Sequence, residues 1–165
     1  MGGESMKRIL SLLLAALLLL GALSGCFKKK IPPSEIRGIE RFFYTESNGS
    51  DFDMRTVYEL DYADGYYSVS IKPEGVKDEN ALVMNVDADF VDRLEGILRD
   101  YDVGSWNGFD KKDYHYIDGV GFTLHVILAS GAEIDAVGLM EWPDHYSEAS
   151  AAFHALFMEV YDANR

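Results

Sequence analysis

Residues 54–72 have the sequence MRTVYELDYADGYYSVSIK, and this stretch decides the fold. On both sides of Asp64-Gly65, large side chains alternate with smaller or polar ones. Alternation with a period of two is typical of a β-strand with one buried face, and Asp-Gly between two such runs favours a two-residue type I′ turn. The stretch therefore predicts an antiparallel hairpin with one apolar face. That face carries Met54, Thr56, Tyr58, Leu60 and Tyr62 on the first strand, and Tyr67, Val69 and Ile71 on the second.

Four further segments on either side of this hairpin have strand patterns. An aromatic-rich strand is predicted at residues 39–45, and a short one at residues 82–86. Residues 122–128 and 132–138 alternate in the same way, and Ser130-Gly131 between them is typical of a turn. These two segments predict a second hairpin.

Two other segments have helical periodicity. The first follows Asp87, which suits an N-cap because its carboxylate can accept hydrogen bonds from free backbone N–H groups, and it extends to about residue 101. The second is predicted at residues 147–161. Residues 106–119 have neither period and are predicted to be a loop. The apolar stripes of the two helices are Phe90, Leu94, Ile97, Leu98 and Tyr101, and Phe153, Leu156, Phe157 and Val160.

The order of these elements predicts the fold class. Strands joined by tight turns are antiparallel, and each strand has one polar face, so helices can cover only one side of the sheet. We therefore predict a two-layer α+β domain, an antiparallel sheet with two helices packed on one face. The pattern leaves the strand order open. The other face is predicted to be open and to carry Arg55, Glu59, Ser68, Ser70, Thr123 and His125.

The first 26 residues have a different character. Lys7 and Arg8 precede a 12-residue run, Ile9–Leu20, which is apolar except for Ser11 and is shorter than the roughly 20 residues that a membrane span needs. This pattern favours a secretory signal over a transmembrane helix, and either Met1 or Met6 can be its start. Cys26 is the sole cysteine of the 165 residues, so no internal disulfide can form.

The segment Leu23-Ser24-Gly25-Cys26 resembles the bacterial lipoprotein signal, which is cut before a lipid-modified cysteine. A plain signal peptide with an incidental cysteine is the alternative. The resemblance implies a signal peptide at 1–25, a lipidated Cys26 within a basic, proline-containing tether at 26–35, and one α+β domain at 36–165. It also implies a protein attached to the cell membrane through lipid on Cys26, on the extracytoplasmic face.

The charge of the chain limits its partners. Without the predicted leader, 13 basic and 27 acidic residues remain, a net charge of −14. Nucleic acid is excluded as a partner because phosphate binding needs a basic surface. Three lysines at 28–30 are attracted to anionic lipid headgroups, whereas the acidic domain is expected to stand off the membrane.

A series of short motifs follows in the second half of the chain: Trp106-Asn107-Gly108-Phe109-Asp110, then Ile117-Asp118-Gly119-x-Gly121-Phe122, then Trp142-Pro143-x-x-Tyr146. With the cysteine signal, they resemble an uncharacterised domain found in lipoproteins of gut Clostridia and relatives. That resemblance implies a cell with a single membrane and a domain on its outer face. It implies no activity, cofactor or catalytic residue.

The aromatic residues of these motifs are the candidate ligand-binding residues: Trp106, Phe109, Trp142 and Tyr146. Aromatic side chains offer large contact areas to a sugar or a peptide. The alternative is that they close the end of the sheet where the helices join it.

No catalytic or metal-binding pattern is present. The four histidines lack ligand spacing for zinc, and Asp87-x-Asp89-x-x-Asp92 lacks the glycine of a calcium loop. Asp110, Asp113 and Asp118 form a more plausible calcium loop without a fixed motif. We predict no enzyme, no cofactor and no metal, and a non-enzymatic module that binds an envelope protein or a wall glycan. The alternatives are a glycan or peptide receptor and a carboxylate-based cell-wall hydrolase.

Overall fold

The computed structural model describes residues 28–48, 54–113, 115 and 119–165. The predicted signal peptide, Cys26, Ile117 and Asp118 lie outside the described residues. The elements are β1 (Ile39–Asn48), β2 (Arg55–Ala63), β3 (Tyr66–Lys72), β4 (Leu82–Val86), α1 (Ala88–Asp100), β5 (Phe109–Lys112), β6 (Val120–Leu128), β7 (Glu133–Leu139) and α2 (Tyr146–Asn164).

The described strands form one seven-stranded sheet in the order β4-β3-β2-β1-β6-β7-β5. All neighbouring strands are antiparallel except β5, which runs parallel to β7. The predicted α+β class is therefore confirmed, and the sheet is mostly antiparallel. β1 lies at its centre, between β2 and β6.

The central hairpin forms as predicted. Asp64 and Gly65 both have positive φ, 55° and 87°, which is the conformation that a type I′ turn requires. β2 and β3 pair from Ala63 opposite Tyr66 onward. The middle of the predicted apolar face is buried: Tyr58, Leu60, Val69 and Ile71 are at most 1% exposed, and Tyr67 is half-buried. The prediction is wrong at the two ends of the first strand, because Met54 and Tyr62 lie beyond the helix layer and are 39% and 47% exposed.

Both helices cover one face of the sheet. The carboxylate of Asp87 caps α1 by accepting a hydrogen bond from the backbone N–H of Phe90 at 3.1 Å, as predicted. Phe157 of α2 connects the two layers, because its ring centroid lies 4.7 Å from that of Tyr58 and 5.2 Å from that of Phe90. Aromatic packing therefore joins α1, α2 and the centre of the sheet.

The prediction of a loop at residues 106–119 is wrong at β5. Residues Phe109–Lys112 pair with β7 in parallel, from Phe109 opposite Ala136 to Lys112 opposite Leu139. This strand has no alternating pattern, since three of its four residues are charged. It becomes a strand because its backbone forms hydrogen bonds with β7, more than 20 positions further along the chain, and local periodicity cannot indicate such pairing.

The segment before β1 packs against the domain. Ile31 and Ile36 are 6% and 0% exposed, and the backbone N–H of Ile31 donates to the carbonyl oxygen of Gly104 at 3.0 Å. A Cβ on Gly104 would overlap the carbonyl oxygen of Ile31, so this close approach requires glycine. Packing thus begins earlier than the predicted boundary at residue 36, because the two isoleucines fill core space within a segment otherwise rich in lysine and proline.

Candidate functional site

The structure brings the four predicted aromatic residues together at one end of the sheet. Trp106 belongs to a short 3-10 turn, Phe109 to β5, Trp142 to the loop before α2, and Tyr146 to the first turn of α2. Phe122 of β6 lies among them, with its ring centroid 4.6 Å from that of Tyr146. We call these five residues the aromatic cluster.

Burial divides the aromatic cluster into two parts. Trp106 and Tyr146 are 1% and 7% exposed, and the Trp106 indole N–H donates to the backbone carbonyl of Asp144 at 3.0 Å. Trp142 is 40% exposed and stacks on Tyr146 with centroids 4.6 Å apart. A ligand at this end of the molecule therefore has access mainly to Trp142 and to the half-buried Phe109, and binding there stays a prediction.

A polar network that the sequence did not reveal lies beside the aromatic cluster. The Glu46 carboxylate accepts hydrogen bonds from the Tyr146 hydroxyl at 3.0 Å and the Ser150 hydroxyl at 3.3 Å. The hydroxyls of Tyr44 and Tyr146 lie 2.9 Å apart. Burial raises the pKa of both phenols above its usual value, so both remain protonated donors at neutral pH.

This network joins the centre of the sheet to the N-terminal turn of α2. Glu46 was missed because the first strand was predicted to end at residue 45, whereas β1 continues to Asn48. The alternation that turns Phe42 and Tyr44 toward the helices also turns Glu46 toward them. The arrangement satisfies buried polar groups and positions α2.

The second face of the sheet carries the polar side chains that the sequence predicted. One row of paired positions crosses this face on six neighbouring strands and consists of Val83, Ser70, Glu59, Phe43, His125 and Asp135. Lys72 also belongs to this face but is only 3% exposed, because its ammonium group donates to the Arg55 carbonyl at 2.7 Å and lies 3.6 Å from Asp78.

One end of this row holds the N-terminal segment. The Asp135 carboxylate contacts His125 Nδ1 at 2.5 Å and forms an ion pair with Lys28. Asn107 reinforces the junction, because its side chain donates to the Lys29 carbonyl at 2.9 Å and accepts from the Asp135 N–H at 3.1 Å. Partial burial opposes ionisation of Asp135, but the hydrogen bonds from Lys28 and His125 outweigh it and lower the pKa of the carboxyl group.

This His-Asp pair ties Lys28 to this side of the sheet. His125 of β6 lies opposite Phe43 of β1.

Metal sites and membrane spans were also sought in residues 28–48, 54–113, 115 and 119–165. No group of three or more His, Cys, Asp or Glu side chains in these ranges is arranged to hold a metal ion. Of the predicted calcium loop, Asp110 pairs with Lys112 at 3.2 Å and Asp113 with His115 at 2.7 Å. Neither helix described here combines the length and apolarity needed to cross a membrane.

Comparison with protein-family models gave no match, and comparison with curated proteins gave no significant match. The resemblance to lipoprotein domains therefore stays a prediction.

Proposed function

We propose that this protein is a lipoprotein attached to the membrane through Cys26 on the extracytoplasmic face, and that its folded domain is a non-enzymatic binding module. The observation that carries the proposal is the one-sided covering of the sheet. In the described part of the chain, both helices pack on the same face, and no helix packs on the other. A partner protein or wall glycan would occupy that second face.

The dimensions of the open face suit a protein partner. Seven strands spaced about 4.8 Å apart span roughly 29 Å; the five inner strands have seven to ten residues and are roughly 25 Å long or more, and the two edge strands have four and five residues. The resulting area, on the order of 700 Å², is close to the share that each partner contributes to a standard interface.

The surface chemistry of this face supports the same proposal. It mixes half-buried apolar groups such as Phe43 and Val137 with polar groups such as Thr123, and its charged groups are largely paired, as Arg41 is with Asp61 at 2.7 Å. Mixed composition of this kind is usual for non-obligate interfaces.

A small-ligand receptor is the second candidate, favoured by the exposure of Trp142. A flat indole face stacked on buried aromatics offers a rigid platform for a sugar ring or a peptide side chain. This candidate places binding at the end of the sheet rather than on its open face.

Site-specific photocrosslinking on intact cells tests the proposal. A benzophenone amino acid replaces Thr123 on the open face in one variant, and exposed Ala155 on α2 in the matched control. We expect a discrete crosslinked partner from position 123 and none from position 155. Equal labelling from both positions, or none from position 123, would contradict binding on this face, whereas labelling from position 142 alone would favour the receptor.

The anchor is tested separately with Cys26→Ala. Removing the sulfur that carries the lipid is expected to abolish the incorporation of labelled palmitate that the wild-type protein shows. A wild-type protein that incorporates no palmitate would refute lipid attachment and leave the binding proposal intact.

A further inference from the structure

We propose that the free edge of β4 binds an extended segment of a partner protein as an eighth strand, and that Lys or Arg residues flank this segment. The inference rests on the proposed binding function and gives it a partner chemistry and a second contact surface.

The two edges of the sheet differ in how they are protected. Among the strands that the structure describes, β4 pairs only with β3, and β5 only with β7. Three of the four β5 residues are charged, whereas β4 has the sequence LVMNV, without charge or proline. Natural proteins block edge strands with charges, especially lysine, and with proline. β4 has neither, and its Val83 is 69% exposed.

A groove of about 360 Å³ lies beside β4 and continues its surface. Met84 and Val86 of β4 line one side of it, and Phe90 of α1 and Val160 of α2 contribute apolar groups from the helix layer. The helix layer therefore extends to this edge of the sheet. An added strand, about 4.8 Å beyond β4, would insert alternate side chains into the groove while its backbone pairs with β4.

The charges around the groove favour a basic segment. Asp87 and Asp89 line it, and Glu79 precedes β4. Arg93 does not offset them, since its guanidinium is held by both oxygens of Glu159 at 3.1 and 2.6 Å. Lys or Arg residues at the ends of an added strand would approach the three remaining carboxylates.

The same charges disfavour a second copy of this chain. Antiparallel pairing of β4 with its own copy around Met84 would bring Asp87 and Asp89, which follow β4 in one copy, toward Glu79, which precedes β4 in the other. These residues lie beyond the ends of the paired strands, and like charges brought close together repel each other. A basic segment of another protein is therefore the occupant that fits.

The position of β4 also suits an external partner. The N-terminal segment, which leads from Cys26, lies against β7 through Lys28 and Asp135. β4 is at the opposite edge, five strand spacings or about 24 Å from β7. A lipid on Cys26 would thus hold one edge and leave the other edge free.

Two synthetic peptides test the inference against the full chain purified in non-ionic detergent. Both contain a central Thr-Val-Thr-Val-Thr run, one flanked by lysine pairs and the other by glutamate pairs. We expect the lysine peptide to bind at least tenfold tighter at low salt, measured by fluorescence anisotropy, and to slow amide hydrogen exchange at residues 82–86.

Val83→Lys and, as a second variant, Asn85→Lys place a blocking charge on the edge and should weaken lysine-peptide binding at least tenfold. The matched control is Tyr66→Lys, because Tyr66 is 66% exposed but lies on an inner strand, and it should change affinity less than threefold. Thermal unfolding checks that all three variants are folded.

Equal weakening by Tyr66→Lys, or binding without protection of residues 82–86, would overturn the proposal. So would a dimer in sedimentation whose β4 amides are protected without peptide. Crosslinking from position 123 with no protection of β4 would reject this inference while leaving the proposed function intact.

Discussion

Replacing Trp106 by alanine separates the structural and ligand-binding interpretations of the aromatic cluster. Trp106 is 1% exposed and packs against Phe122 and Tyr146, with ring centroids 6.0 and 5.9 Å away. Truncating a buried tryptophan to alanine costs about 3–5 kcal/mol of unfolding free energy. The change also removes the hydrogen bond to the Asp144 carbonyl, which contributes about 1 kcal/mol.

Trp142→Ala is the matched control in the same cluster. Trp142 is 40% exposed, so the loss of its partly buried apolar surface is expected to cost only about 1–2 kcal/mol. The two variants are therefore expected to differ by at least 2 kcal/mol in unfolding free energy, with Trp106→Ala the less stable.

Urea unfolding of the full chain, followed by far-UV circular dichroism, measures this difference. With an m-value of about 1.5 kcal/mol/M, Trp106→Ala should lower the midpoint by roughly 3–4 M. If that variant does not fold, Trp106→Phe keeps most of the ring packing and should still fall below wild type. Equal midpoints for Trp106→Ala and Trp142→Ala would refute the assignment of Trp106 to the core.

Two further predictions concern the N-terminal segment. Gly104→Ala is expected to lower the unfolding midpoint, because its Cβ would overlap the Ile31 carbonyl. The control is Gly96→Ala, in α1 with open space around it, which should raise the free energy of unfolding by about 0.5–1 kcal/mol. An unchanged midpoint for Gly104→Ala would contradict the docking of Ile31. Asp135→Asn should destabilise the protein at pH 7. Because the native pKa of Asp135 is lowered, this difference from wild type should persist above about pH 5 and shrink as the pH falls below 4, and a difference that grows in acid would contradict the ion pair with Lys28.

Local signals in the sequence were sufficient for the elements that depend on neighbouring residues. The Asp64-Gly65 turn, the Asp87 cap and the alternation in residues 54–72 each have a physical cause within a few positions, and all three are confirmed. The strand order was left open because nothing local determines which strands become neighbours. β5 was missed for the same reason, since a charged tetrapeptide becomes a strand only by pairing with β7.

The candidate site, too, could be predicted from local sequence only in part. The sequence indicated four aromatic residues, but their separate roles depend on burial, which places Trp106 and Tyr146 inside and leaves Trp142 at the surface. Glu46 and Asp135 gave no signal, because their partners lie 100 and 107 positions away along the chain. Contacts over such distances can be identified only once the strands are in register.

The docking of Lys28 limits how far the domain can stand from a lipid anchor. Cys26 is two positions before Lys28, and two residues span at most about 7 Å. A lipid on Cys26 would therefore hold the edge formed by β7 and β5 close to the membrane, in contrast to the predicted stand-off. Of the seven lysines after Cys26, five belong to this edge or to the segment beside it, namely Lys28, Lys29, Lys30, Lys111 and Lys112.

On a chain anchored through lipid on Cys26, this distribution would reconcile a strongly acidic protein with an anionic membrane. The lysine-rich edge would face the lipid, while the uncharged β4 edge lies about 29 Å from β5 and the acidic helix α1 follows β4 in the chain. Repulsion between the remaining carboxylates and the headgroups would then favour the orientation that points β4 outward. The short anchor and the uneven charge would thus act in the same direction, and both would leave the unprotected strand available to a partner.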